Sequence, residues 1–166
     1  MRAATIESPW QKRLAECLPL LGHRNWIAVT DGSYPWQSSP GVETVATGAD
    51  HLEVVEAVLA AIGETRHIRP VVHLDAELES LDPVDAPGIS DLREDLYVTL
   101  SQSPQPRRLP HDEIIAKLDA ASRTFRVLLL KTTCALPYTS VFIELDCRYW
   151  NPAAETRLRT ALNLKS

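Results

Sequence analysis

Leu21-Gly22-His23-Arg24-Asn25-Trp26-Ile27-Ala28-Val29-Thr30-Asp31-Gly32-Ser33-Tyr34-Pro35 packs a helix stop, a short strand and a polar strand exit into one run. Gly22 is placed to supply a left-handed stop for a preceding helix. Residues 25–30 are an apolar run of strand length, closed by Asp31-Gly32. Upstream, residues 8–21 read as that helix. Ser8 is placed to cap it and Pro9 suits its first position, while Trp10, Leu14, Cys17, Leu18 and Leu21 recur on one face. Downstream, residues 33–41 are loop chemistry, rich in Ser, Pro and Gly.

The same alternation continues along the chain. Residues 42–47 read as a short strand. Asp50 opens a helix to about Ile62, with Leu52, Val55, Val58, Leu59 and Ile62 on one side. Residues 69–74 read as a strand closed by Asp75, and Pro83, Pro87 and Gly88 break structure after it. Ser90 is placed to cap a helix over 91–100. Residues 101–110, with three prolines and two arginines, read as a loop insertion. A helix over 111–124 follows, then a buried strand over 125–131, a loop over 132–137 and a strand over 140–145. Asn151-Pro152 starts a last helix carrying Leu158, Ala161 and Leu162. Strands alternating with helices predict an α/β layered domain with a mostly parallel sheet. Ligands in such sheets sit outside the carboxyl ends of the strands, so Asp31, Asp75 and Lys131, each closing a strand, are candidate site residues.

Composition narrows the function. The chain has 166 residues, 45% of them hydrophobic and 23% charged, which suits one globular domain over 1–166. Seventeen Lys plus Arg against twenty-two Asp plus Glu give a net charge of −5. The basic footprint of a nucleic-acid binder is absent. No apolar run has the length of a membrane span, and the first residues lack the apolar core of a secretory signal. Cys17, Cys134 and Cys147 form neither a disulfide framework nor a zinc pattern and read as reduced cytoplasmic thiols.

Each candidate residue has a structural reading beside the functional one. His23 follows the first helix eight residues before Asp31; it either caps the helix or forms an oriented acid–base pair with that carboxylate. His73-x-Asp75 puts both side chains on one face of a strand, as ligand-contacting groups or as a metal half-site. His111, beside Asp112 and Glu113, reads first as a helix start, with a pocket role open. His51 and His67 read as surface residues at helix ends. The Tyr34-Pro35-Trp36 loop reads as exposed and suited to an interface. Tyr138 is either a half-buried aromatic or a phenol presented at the sheet margin. Ser33 lacks the nucleophile elbow of a serine hydrolase, and no phosphate-binding glycine loop is present.

Taken together, Leu21-Gly22-His23…Asp31-Gly32-Ser33-Tyr34-Pro35 resembles the N-terminal motif of the ribose pyranase/fucose mutarotase family. Pro137-Tyr138-Thr139-Ser140-Val141-Phe142-Ile143 is similar to that family's C-terminal motif. Arg69-Pro70-Val71-Val72 and Leu81-Asp82-Pro83 fall where the family carries a strand and a turn. The resemblance covers about 14–145, leaving a C-terminal helical extension over about 151–164. It implies a three-layer α/β/α sandwich with helices on both faces of the sheet, and a homo-oligomer with sites near subunit contacts. It also implies a cofactor-free sugar isomerase in which His23 is the acid–base group, Asp31 the acidic partner and Tyr138 the site tyrosine. Ser140 stands where the family usually has asparagine, and Lys131-Thr132-Thr133-Cys134 replaces a differently built turn. Those departures suit a non-catalytic sugar- or metabolite-binding protein on the same fold. A metal-dependent hydrolase or lyase around His73, Asp75 and His111 is the third expectation.

Overall fold

The computed structural model describes residues 7–164. The leader reading of residues 1–6 lies outside the described residues. The opening helix α1 runs Pro9–Cys17, and a 3-10 turn, Leu18–Leu20, tightens its end. Strand β1, Trp26–Thr30, is buried throughout, and its pleat decides the layering. Ile27 and Val29 point into one apolar cluster, Trp26 and Ala28 into another.

Strand β2 spans Val42–Ala46, and helix α2 spans His51–Gly63 with Asp50 as its cap, accepting the Leu52 and Glu53 N–H groups. Strand β3 runs Ile68–Asp75 and helix α3 runs Ile89–Leu100. Strand β4, Arg107–Leu109, precedes helix α4, His111–Ser122. Strands β5, Val127–Lys131, and β6, Val141–Cys147, complete one six-stranded sheet, and helix α5, Pro152–Ala161, follows. The strand order is β2-β5-β1-β6-β3-β4, parallel except for β6, which runs antiparallel to β1 and β3.

Helices α1, α2 and α3 cover one face, through Trp10, Leu14, Val55, Val58, Ile62, Leu96 and Leu100. Helix α4 covers the other with Ile114 and Leu118, against Trp26, Leu129 and Phe142. The result is the expected three-layer α/β/α sandwich. Helix α5 buries none of its residues and leaves Leu158 and Leu162 exposed. Among the described residues no helix is long and apolar enough to cross a membrane.

Five local readings change. Gly22 is not left-handed; the helix ends in its 3-10 turn, and Arg24, at φ 74°, takes the positive-φ position before β1. Residues 107–109 pair with the end of β3 as an edge strand rather than a loop. Three residues flanked by Pro106 and Pro110 carry no periodicity, so the pairing is a tertiary effect. Helix α3 starts at Ile89, preceded by Gly88 at φ 93°, so a left-handed glycine takes the place expected for Ser90. His51 is buried rather than superficial, and His67 is half-buried, its Nε2–H donating to the Leu21 carbonyl at 3.0 Å. Tyr34 is also buried, while Trp36 stays exposed.

Gly41 lies where the approach to β2 passes under the end of α4, and its carbonyl accepts the Val127 N–H. A methyl group there would overlap the carbonyl oxygens of Ser122 and Phe125. Gly41→Ala should therefore destabilise the fold by about 2–3 kcal/mol through overpacking against backbone. Urea unfolding checks this, and an unchanged midpoint would refute the close approach.

Candidate active site

Because β6 alone runs backwards, its first residues lie beside the last residues of β1 and β3. Val141 pairs with Val29 on one side and Leu74 on the other. Ser140 is thereby brought beside both Asp31 and Asp75. The loop before it, residues 132–139, crosses the strand exits and forms part of the wall of an open pocket of about 530 Å³. Asp31, Tyr34, Gln37, His111, Ile115 and Tyr138 are among its lining residues.

Asp31 Oδ1 accepts the Ser33 N–H at 2.8 Å, an Asx turn that points the carboxylate back over the strand end. Its Oδ2 lies 3.5 Å from the buried Ser140 hydroxyl. His111 is held at three points. Its backbone N–H donates to both Glu77 oxygens at 3.0 Å, and its ring meets Tyr138 edge-on at 5.5 Å. Its Nδ1–H donates to Asp75 Oδ1 at 3.0 Å. That bond leaves Nε2 as the ring's available acceptor.

Asp75 is 1% exposed, and its Oδ2 has no hydrogen-bond partner among the described residues. Burial pushes its carboxyl above the usual range, opposed by the His111 hydrogen bond. Burial also pushes the Tyr34 phenol up to about 12, so it stays protonated, and its oxygen accepts from the Gln37 amide at 3.3 Å. Tyr138 sits at φ 54°, a left-handed conformation costing a non-glycine residue about 1 kcal/mol or more.

The remaining sequence candidates fall elsewhere. His23 lies before β1 and Asp31 after it, so the five-residue strand holds them at opposite ends of the sheet, about 17 Å or more apart. They do not form the expected pair. His23 is exposed and its Nδ1 lies instead 3.1 Å from Asp146 Oδ1. Burial works to raise the Asp146 carboxyl, but Arg69 and the Cys147 backbone hold it below its ordinary value. His73 shares a face with Asp75, yet its ring stacks on Trp26 at 5.2 Å and its Nε2–H donates to Glu144. It therefore leaves the expected His73-Asp75-His111 trio, and among the described residues no group of three His, Cys, Asp or Glu is arranged to hold a metal ion. Lys131 closes β5 but is absent from the pocket lining; its carbonyl accepts the Thr47 N–H and hydroxyl.

His111 is the residue that sequence reasoning undervalued. Its partner Asp75 is thirty-six positions away, and the edge strand that carries the chain past Asp75 has no sequence periodicity. Pro110, stopping the chain just before a helix, was the available signal.

No family model and no curated protein sequence matches this chain. Solved structures do. Bacillus subtilis RbsD complexed with D-ribose superposes with a TM-score of 0.58 at 15% identity, over 84% of this chain and 95% of that one. The fucose mutarotase from Streptococcus pneumoniae, in complex with L-fucose, gives 0.52 at 14%, over 84% and 92%. FucU from Bifidobacterium longum gives 0.50 at 14%, over 81% and 94%. The chain thus has the fold that the sequence motifs implied.

The raised Asp75 carboxyl sets a pH dependence. The native group keeps its proton to higher pH than the unfolded one, so its contribution is present at acid pH and is lost as pH rises through the raised value. Asp75→Asn does not titrate. Its stability relative to the wild type should therefore improve from about pH 4 to about pH 7. Urea unfolding across that range reads the difference, and a flat or opposite trend would contradict the burial argument.

Proposed function

We propose that this protein interconverts the anomeric or ring forms of a ribose- or fucose-like aldose in the cytoplasm, by general acid–base catalysis without a cofactor. The observation that carries this reading is the Asp75-backed His111 imidazole facing the same pocket as the Asp31 carboxylate. Opening a sugar ring moves one proton onto the ring oxygen and takes one from the anomeric hydroxyl. Closure after rotation reverses both transfers. An imidazole that titrates near neutral pH can give and take a proton in turn. His111 Nε2 fits that task because Nδ1 is occupied by Asp75. Asp31 supplies the second proton acceptor or holds sugar hydroxyls, with Ser140 supporting it. Tyr138 offers a ring face to the apolar side of a sugar. No Lys or Arg lines the pocket among the described residues, in keeping with an uncharged ligand.

The sequence resemblance gives the acid–base role to His23. Set beside Asp146 at the opposite end of the sheet, His23 serves such a reaction from a second copy of the chain, seated with that end over the pocket. The proposed homo-oligomer then brings one copy's His23 to another's His111, Asp31 and Tyr138. Asp75 acts here through His111, and His73 and Lys131 stand outside this scheme. The binding-only alternative draws on Ser140 and the Thr132-Thr133 turn, two of the departures from the family's pattern.

Saturation-transfer NMR on ribose and fucose at anomeric equilibrium tests the reading. The wild type should accelerate exchange for at least one aldose, and His111→Ala should lower it by about 10²–10⁴-fold. His23→Ala should lose activity too, and mixing the two inactive variants should restore part of it. Recovery fails if both histidines act within one chain or if His23 plays no part. A folded wild type that accelerates no aldose ends the enzymatic reading, and sugar binding without exchange supports the binding protein.

A further inference from the structure

The first residue of α2 meets the pocket loop from below. A seam of hydrogen bonds joins the approach to α2 with the start of that loop. The Thr47 hydroxyl donates to the Lys131 carbonyl, and the Thr133 N–H and hydroxyl donate to the Ala49 carbonyl at 3.0 and 3.1 Å. His51, 1% exposed, adds a contact of another kind because it touches both ends of the loop at once. Its Nδ1 lies 3.0 Å from Thr132 Oγ1, and its Nε2 lies 2.8 Å from the Thr139 carbonyl. A carbonyl only accepts, so Nε2 carries a proton. Burial disfavours a second one. Nδ1 of the neutral ring then shares the single Thr132 hydroxyl proton with the Thr30 carbonyl, which lies 2.9 Å from the same oxygen.

The chain between those two contacts is under local constraint. Thr139 is fully buried and its hydroxyl donates to the Leu136 carbonyl. Tyr138, immediately before it, holds its left-handed backbone without being glycine. Ser140, immediately after it, reaches toward Asp31. Releasing the Thr139 carbonyl would free the peptide that joins the site tyrosine to the strand.

We infer that His51 is the positioning residue that clamps the loop 132–139 shut and so aims Tyr138 into the pocket. Its structural part stands on the contacts above, and its catalytic consequence rests on the proposed function. His51 is not among the residues lining the pocket; its hydrogen bonds go to the loop, and the Asp31 carboxylate acts on it electrostatically.

Amide hydrogen exchange of the whole protein tests the clamp without reference to sugar chemistry. In His51→Ala, peptides covering 132–140 should exchange about tenfold faster or more, while those covering β1 and β5 keep their protection. Thr132→Val, which keeps the shape but removes the hydroxyl shared by His51, the Thr30 carbonyl and the Cys134 N–H, should loosen the same peptides and serves if His51→Ala does not fold. His51→Gln, whose amide can still donate to the Thr139 carbonyl, should recover part of the protection. Sugar exchange should fall in proportion to loop opening across these variants, chiefly in kcat. Unchanged loop protection, or a loss shared equally by β1, would overturn the clamp. Loop loosening with sugar exchange untouched would overturn its link to Tyr138. A wild type that accelerates no aldose bears on the proposed function alone, and the loop measurement still decides the clamp.

Discussion

The insertion of one antiparallel strand between two parallel ones governs everything else in this molecule. Strand β6 is hydrogen-bonded to β1 on one side and β3 on the other, and Val141, Phe142 and Ile143 are fully buried between the two helix layers. A strand pinned on both edges and both faces has one register, because a slip of one residue would turn Phe142 to the wrong layer. That register brings Ser140 to the exits of β1 and β3. It also sends the loop before β6 across those exits, where Tyr138 meets His111.

Burial then differentiates the polar groups gathered there. Asp75 is enclosed, and its carboxyl is raised. Asp31 lies at the pocket edge with a turn N–H on one oxygen. Two carboxylates at neighbouring strand ends thus differ in environment, and the imidazole between the pocket and Asp75 is oriented by the buried one. At the opposite end of the sheet, an exposed His23 lies 3.1 Å from the Asp146 carboxylate. Two such pairs at the two ends of one sheet are what a site shared between copies would use.

Most of the architecture was legible locally. Helical spacing of Trp10, Leu14 and Cys17, the Asp50 cap, and the apolar runs at 25–30 and 125–131 each report a structure formed by near neighbours. The misreadings share one cause. Strand β4 exists because β3 offers an edge, His51 is buried because a loop eighty positions later folds onto it, and Tyr34 is covered by α4 and β6. None of these relations leaves a period in the sequence.

The candidate site divides along the same line. Strand-exit logic singled out Asp31, Asp75 and Lys131; the first lines the pocket, the second backs His111 and the third stands outside the pocket lining. The Pro137-Tyr138 pattern and its resemblance brought in Tyr138. Whether two histidines eighty-eight positions apart in the chain, His23 and His111, lie at one end of the sheet or at opposite ends is a matter of strand direction. A histidine before β1 and one after β4, which runs parallel to it, must sit at opposite ends of the sheet. The fold class and the polar strand ends follow from local chemistry; which histidine faces the pocket follows only from the direction and order of strands, set by long-range packing.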